Sequence, residues 1–553
     1  MPKSSPHFIF VSGGVLSGLG KGITTASIGL LFKSLGYKVT AIKIDPYVSI
    51  DAGTMRPAEH GEVFVTDDGG EIDQDLGNYE RFLDVSLSKD NNLTTGKIYQ
   101  TVIANERAFK YKGRDVEMFP DVINEIKDCI LKASTGAEIV LVEIGGTVGD
   151  LENQPFLHAV RELGREYPSA HIIVTYLPFL RNVGELKTKP TQHAVARLRE
   201  AGIFPDFIVT RNEIPIDKPR IESIAARCFV DAENIIDNPD TDSIYKIPLK
   251  FRDEKFAEKL QKKLNLPEAH PDLTPWEHFV KGTTGNRKKV KIGLIGKYVE
   301  HGSAAHNDVY ISVLEAVKHA AAYHKVFPEI VAIEAERAEV ETDFLEGFSA
   351  IIVPQGWGAR GIEGKIAAIK FAREEKIPFL GLCFGMQMAS IEFGRDVCGL
   401  PDSNSEEADD KTKYPVIHIM PDQKEYLRKH QYGGTIRLGA WPCVLRAGSL
   451  LAFLYQKYDD NSVEKGTDGS LIIKERHRHR YEFNNEFRHA FEEKGLIFSG
   501  LSPDGKLVEA IEIPQSVHPF FVGTQFHPEY KSRPLKPHPV FLGLVEAALN
   551  LKR

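Results

Sequence analysis

Only five cysteines occur in 553 residues, an odd number, and no two stand in C-x-x-C spacing. Cys129, Cys228, Cys383, Cys398 and Cys443 therefore suggest neither a disulfide framework nor a zinc site, and a reducing cytoplasm fits them best. No stretch approaches ~18 uninterrupted apolar residues, and the apolar run after MPKSSPH is too short for a secretory signal. No membrane partner is expected. Excess positive charge is missing too: 69 Lys+Arg against 77 Asp+Glu gives −8. That argues against nucleic acid as the main partner, while anionic nucleotides can still bind local basic loops. Short repeats and low-complexity tracts are also absent. What remains is a globular composition, 42% hydrophobic and 26% charged, in a chain too long for one ordinary core.

Two α/β domains in series are expected. Short β-branched or aromatic runs (Phe8–Ser12, Val39–Asp45, Ile139–Ile144, Ile172–Tyr176, Phe207–Thr210) alternate with amphipathic stretches of helical length. Near-continuous apolar strands of this kind belong to a parallel sheet covered on both faces. Between Leu266 and Lys289 the texture turns to proline, glycine and charge, which reads as a linker. The rhythm restarts at Val290–Gly296, Ile330–Glu334, Ala350–Pro354 and Ile377–Leu382. Beyond Tyr414 the strands crowd together, as in a mixed sheet with an antiparallel extension. The expected division is residues 1–265, a linker over 266–289, and 290–553.

The segment FIFVSGGVLSGLGKGITTASIGLLFKSLG reads as strand, glycine-rich turn, helix. Glycines let backbone N–H groups close on phosphate oxygens, and a helix N-terminus adds a favourable dipole. Lys21 would supply a point charge to the β/γ-phosphates. The spacing departs from the standard phosphate loop, because Val15 holds the expected first glycine position and Gly22 replaces the hydroxyl that normally touches magnesium. Carboxylates from elsewhere must then hold the metal. Glu143 ends the buried-looking strand IVLVEIGG, where an acid lies at the ligand-binding edge of a parallel sheet. Asp75 lies in the polar loop GGEIDQDLGNYER, and read alone it fits a solvated charge better than a ligand. Lys43 in AIKIDPY is either a phosphate contact or an exposed lysine at a strand end.

GGVLSGLGKG, KIDPY, HGEVFVTDDG, TGKIYQ, VEIGGTVGD, GELKTKPTQH and DSIYKIP, in this order and spacing, resemble the synthetase domain of CTP synthases over about residues 7–250. The resemblance implies a phosphate-loop-like parallel α/β amidoligase domain. By that likeness Gly18, Leu19, Gly20, Lys21, Gly22 and Ile23 cradle ATP, with Lys43, Asp75 and Asp240 beside it, and Asp75 and Glu143 hold Mg2+. Ser17, Asp150, Leu151, Glu152 and the loop Lys187, Thr188, Lys189, Pro190, Thr191, Gln192 would form the sites for UTP and for CTP as feedback inhibitor. Two lysines on a proline-stiffened loop suit a triphosphate; without the family they read as surface charges. One departure is Ser223, which also belongs to that nucleotide site and stands where the family usually has a lysine. Arg220 or Lys218 could compensate.

In the second half, IPFLGLCFGMQMASIEF places Cys383 between strand and helix, with glycines at Gly381 and Gly385. A tight turn of this kind exposes a nucleophile above a sheet, and a helix N-terminus lowers a thiol pKa. Far downstream FFVGTQFHPEY supplies His527 as base and Glu529 to orient it. The set resembles class I glutamine amidotransferases, from about Val290 to the C-terminus, with RLGAWPC and KYVEHGSAAHNDVYISVLEAVKHA completing the likeness. The oxyanion hole should come from the N–H groups of Gly356 and Phe384. By resemblance Gly385, Met386 and Gln387 line the glutamine site, while Glu407 and Arg480 take its ammonium and carboxylate. Gln355 and Trp357 depart from the family's usual glycine and phenylalanine. Gln355 is expected to restrict a peptide that otherwise moves.

The implied chemistry is UTP + ATP + glutamine giving CTP, with ammonia released at Cys383 and captured by a phosphorylated uracil. The resemblance further implies an ammonia tunnel near His60 and Val63, GTP as activator and a homo-tetramer. Rival readings are a cobyrinate amidase or GMP synthetase, and a catalytically decayed, nucleotide-regulated assembly protein. KTKPTQH and VEIGGTVGD count against the first rival, and the joint retention of Lys21, Asp75, Glu143, Cys383, His527 and Glu529 against the second.

Overall fold

A computed structural model describes residues 5–284, 287–297, 308–420, 423–429 and 434–551. Residues 298–307 of the KYVEHGSAAHNDVYIS motif lie outside the described residues. The chain forms two compact units, Met1–Ala52 with Asp75–Glu277, and Gly53–Gln74 with His278–Arg553.

The first unit is built on a seven-stranded sheet, all parallel. Its order is Ile235–Pro239, Phe207–Asn212, Ser169–Leu177, His7–Gly13, Ile139–Ile144, Val39–Asp45, Asn92–Thr94. The fully buried apolar runs anticipated from the sequence are these strands, covered by helices as a parallel sheet requires. Chain order reverses on either side of His7–Gly13, so the carboxyl ends of that strand and of Ile139–Ile144 open a crevice where ligands bind in doubly wound sheets. Helix Lys21–Ser34 leaves the first strand through the glycine turn. Gly29 lets this helix lie close, since a Cβ there would meet Leu83 at 2.5 Å and Leu141 at 2.7 Å. The stretch read as a linker holds a helix, Thr274–Gly282. Its Trp276 is buried against Phe82 and Tyr245 and donates to the Tyr245 carbonyl at 2.8 Å, so one aromatic outweighs the surrounding proline and charge.

In the second unit a ten-stranded mixed sheet runs Phe327–Glu334, Lys289–Gly296, Ala350–Val353, Phe379–Leu382, Phe521–Thr524, Val508–Ile513, Ile497–Leu501, Arg437–Leu445, Leu471–His479, Glu464–Lys465. The first five are parallel and the rest antiparallel, the extension anticipated beyond Tyr414. One part of this unit comes from far upstream. Residues 53–74 fold as a small hairpin, Val63–Val65 against Glu71–Asp73, and their acids bind the sheet. Asp67 accepts from Arg476 at 2.6 Å and Glu71 from Arg478 at 2.9 Å, two residues apart on one strand face. Glu62, buried, accepts from the N–H of Ser312 at 3.2 Å, in the first turn of helix Ile311–Tyr323.

Candidate functional site

In the first unit five charged groups converge at the carboxyl ends of neighbouring strands and the helix starts beside them. Gly18 and Gly20 adopt φ of 71° and 80°, which only glycine takes freely, and Gly20 caps the helix that Lys21 opens. Gly13 leaves room for the Lys21 side chain, since a Cβ there would meet Lys21 Nζ at 2.6 Å and displace it. The Lys21 ammonium folds back to the Gly146 carbonyl at 2.9 Å, and burial lowers its pKa against the pull of Glu143. Lys43 is not an exposed strand-end lysine. It is 6% exposed, pairs with Asp75, and lies 2.9 Å from Glu143 and 3.8 Å from Asp45. Burial alone would push Lys43 down, but the three carboxylates raise it well above its ordinary value. Asp75 stands not in a loop but at the start of helix Asp75–Leu83, against Gly22, where a Cβ would meet its Oδ1 at 2.5 Å. The hydroxyl missing at position 22 is thus the space the carboxylate uses. Glu143 also accepts from Tyr79.

Asp75 and Glu143 meet on one ammonium group, so their oxygens converge on a single cation-sized spot. Two carboxylates completed by phosphate oxygens and water are the usual protein share of a Mg2+ site. The donor set fits the ion. Among the described residues no cluster of three or more His, Cys, Asp or Glu side chains offers a closed metal cage.

Around this centre the other predicted residues fall in separate places. Ser17 is exposed on the glycine turn and Leu19 is buried beneath it. Asp150 closes its own turn by accepting the Thr147 N–H at 2.7 Å, while Leu151 is 82% exposed and Glu152 is exposed. The expected loop at 187–192 becomes helix Lys189–Glu200 from Lys189 on, with Pro190 in its first turn, where proline lacks only an orphan N–H. Lys187 pairs with Glu185, and so does Arg220, which brings the residue suggested to compensate for Ser223 to the same carboxylate. Ser223 itself lies half-buried in helix Lys218–Cys228. Asp240 pairs at 2.9 Å with Arg211, whose Nε lies 3.9 Å from where a Cβ on Gly20 would sit. Sequence reading missed Arg211, Asp45 and Tyr79. Arg211 ends a buried strand, the position that flagged Glu143, and could have been found by the same signal.

In the second unit Cys383 has φ 51° and ψ −99°, a conformation uncommon for a side-chain-bearing residue, between strand Phe379–Leu382 and helix Phe384–Asp396. Both flanking glycines are sterically required. A Cβ on Gly381 would meet the Gly385 backbone at 2.7 Å, and one on Gly385 would strike the Val353 carbonyl. Gln525 Nε2 donates to Cys383 Sγ at 3.4 Å, and the thiol reaches the Arg478 carbonyl at 3.8 Å. The neighbouring imidazole of His527 is 1% exposed and bonds Glu529 Oε1 through Nδ1 at 2.7 Å. Its Nε2 is buried without a hydrogen-bond partner. Burial would lower the His527 pKa, but Glu529 and then Cys383 raise it to about 10. Tyr530 stacks on the ring at 4.9 Å and donates to the Val63 carbonyl at 3.0 Å, while His60 is exposed.

A cleft over this centre is lined by Gly356, Phe384, Gln387, Glu407 and Arg480 together with Gln355 and Trp357. Glu407 Oε1 accepts the Gly358 N–H at 2.7 Å, and burial raises its pKa. Gln387 is held by the Tyr481 carbonyl at 3.0 Å and by Gln525. Gln355 Nε2 reaches Glu62 at 3.4 Å. Met386 is not brought to the cleft; its side chain packs in the core against Gly523, because the helical turn after Cys383 aims it back at the sheet. Gly385 is likewise consumed in packing. Sequence reading missed Gln525, two residues before His527, and Tyr530, just after Glu529.

A family model described as the CTP synthase N-terminus matches residues 7–266, and one for class-I glutamine amidotransferases matches residues 305–547. Full-length relatives agree. The chain is 50% identical to the CTP synthase of Caldanaerobacter subterraneus subsp. tengcongensis over 99% of its own length and 98% of that protein's. It is 50% identical to the CTP synthase of Methanocaldococcus jannaschii over 99% of both chains, and 49% to that of Thermococcus kodakarensis over 99% of both.

Proposed function

The chain belongs to the CTP synthase family, and from that premise we propose how its two units divide the reaction. It is a ligase that aminates UTP to CTP at the expense of ATP, with nitrogen from glutamine. Neither a cobyrinate- or xanthylate-directed amidoligase nor a decayed assembly protein is favoured by relatives at this identity over the whole chain.

In the glutaminase unit the Cys383 thiolate attacks the carboxamide carbon of glutamine. The N–H groups of Gly356 and Phe384 hold the oxygen that becomes negative. The His527 imidazolium, kept charged by Glu529, gives its proton to the leaving ammonia, and water then hydrolyses the thioester. The observation that carries this reading is the buried His527–Glu529 bond of 2.7 Å beside a thiol in a strained elbow. Glu407 and Arg480 bind the ends of glutamine.

In the synthetase unit Lys21, Lys43 and the turn from Gly18 to Ile23 bind the ATP phosphates, with Arg211 and Asp240 beside them. Asp75 and Glu143 would hold Mg2+, which when bound neutralises phosphate charge. The uracil O4 takes the γ-phosphoryl group, because oxygen alone is a poor leaving group. Ammonia adds at C4 and phosphate departs. Ser17, Asp150 to Glu152, Lys187 to Gln192, Arg220 and Ser223 bind the pyrimidine nucleotide. GTP activation, CTP feedback, a tetramer and a cytoplasmic location complete the proposal. Among the described residues no helix is long and apolar enough to cross a membrane.

Cys383→Ala tests the division. It should abolish glutamine-dependent CTP formation and leave the reaction with ammonium salts within about twofold, because only the first half-reaction uses the thiolate. Equal loss of both would refute the assignment.

A further inference from the structure

Two lysines that take no part in the reading above flank the peptide that would complete the oxyanion hole. Lys297, just after strand Lys289–Gly296, is 1% exposed, and Lys365, in helix Ile362–Glu374, is 0% exposed. Neither forms a salt bridge among the described residues. Both amines lie over the Phe384 ring, 4.2 and 5.0 Å from its centroid. Lys365 donates to the Pro354 carbonyl at 3.0 Å; Lys297 donates to the Trp357 carbonyl at 2.9 Å and to that of Gly358. A Cβ on Gly356 would stand 3.4 Å from Lys297 Cδ and 3.5 Å from Lys365 Nζ, so Gly356 lies between them.

The chain is therefore pinned at the amide just before Gln355–Gly356 and at the second amide after it. Lys365 holds the carbonyl of Pro354–Gln355. The Trp357–Gly358 amide is held at both ends, its carbonyl by Lys297 and its N–H by Glu407. Burying an ammonium group without a carboxylate partner is costly, and an apolar side chain would serve packing better. Burial accordingly drives the Lys365 pKa well below its ordinary value and that of Lys297 to about 8.

Resting on the reading of Cys383 as the glutaminase nucleophile, we infer that Lys297 and Lys365 are positioning residues for the oxyanion hole. They hold the Gly356 N–H and, through the ring they cover, the Phe384 backbone toward the oxygen that becomes negative. Lys365→Met keeps the length of the side chain and removes the donor. Its kcat for glutamine hydrolysis should fall ~10–100-fold, short of deleting an oxyanion donor outright, while KM shifts by less than about threefold. A γ-aldehyde analogue of glutamine, whose hemithioacetal oxygen occupies the oxyanion position, should lose affinity by the same factor as kcat. Lys365→Arg should recover part of both. Lys297→Met should show the same split, and it decides the matter if Lys365→Met does not accumulate as folded protein. The inference is overturned if kcat in the folded variants stays within about twofold, or if KM rises at constant kcat. Cys383→Ala, assayed in parallel, separates the levels: residual glutamine hydrolysis there defeats the site reading, whereas an inactive Cys383→Ala beside normal lysine variants defeats the inference alone.

Discussion

His527 carries a carboxylate on Nδ1, faces the thiol with Nε2, and holds its proton to about pH 10. Burial alone would have lowered that value; Glu529 and Cys383 reverse it. Because the folded pKa exceeds the unfolded value of 6.5, the imidazolium contributes stability that is whole below pH 6.5 and is lost as the pH rises through about 10. Glu529→Gln removes the main support. The melting temperature should therefore fall, and the gap to the parent should be widest near pH 6 and narrow toward pH 10; a gap constant with pH would contradict the assignment. At the proposed pyrimidine site Ser223 would leave triphosphate binding short of one cation, since Arg220 pairs with Glu185 and Asp217. Ser223→Lys should tighten UTP binding by roughly 3- to 10-fold, the worth of one charge-assisted contact. An unchanged affinity by calorimetric titration would end that account.

Residues 53–74 behave as an element of the second unit's mixed sheet although their sequence neighbours on both sides belong to the first unit. Asp67 and Glu71 pair with Arg476 and Arg478, while the backbone carbonyl of Arg476 accepts the His527 N–H at 2.8 Å and that of Arg478 faces the thiol. The hairpin thus grips the strand that seats Cys383 and His527. Glu71 and Arg478 are 3% and 11% exposed in their side chains. Glu71→Gln strands a buried guanidinium and should cost the second unit about 3–5 kcal/mol, as broken buried pairs do. Urea unfolding followed through Trp357 and Trp441 should show it; a midpoint unchanged within error would mean the pair is solvated. Alternation along a strand would have revealed Arg476 and Arg478 as one face, but nothing in RHRHR names acids some 400 positions upstream.

Each unit has its own buried core, on the parallel sheet in the first and on the mixed sheet in the second. Ligands of one unit should therefore stabilise that unit first. Calorimetry should resolve two transitions, one raised by ATP with magnesium and the other by an electrophilic glutamine analogue. A single transition that both ligands shift equally would show that the units unfold together.

By itself the sequence determined the two α/β halves, the strands, the glycine turn, and the elbow at Cys383 with the His527–Glu529 pair. These depend on local patterns: apolar runs of strand length, glycines at fixed offsets, a nucleophile between strand and helix. The tertiary structure alone decided that Lys43 bridges Asp75 and Glu143, that Asp75 fills the space of a missing hydroxyl, that residues 53–74 join the other unit, and that two lysines cover Phe384. Charges buried together are set by which strand ends the topology makes neighbours, and that ordering leaves no periodicity in the chain to read.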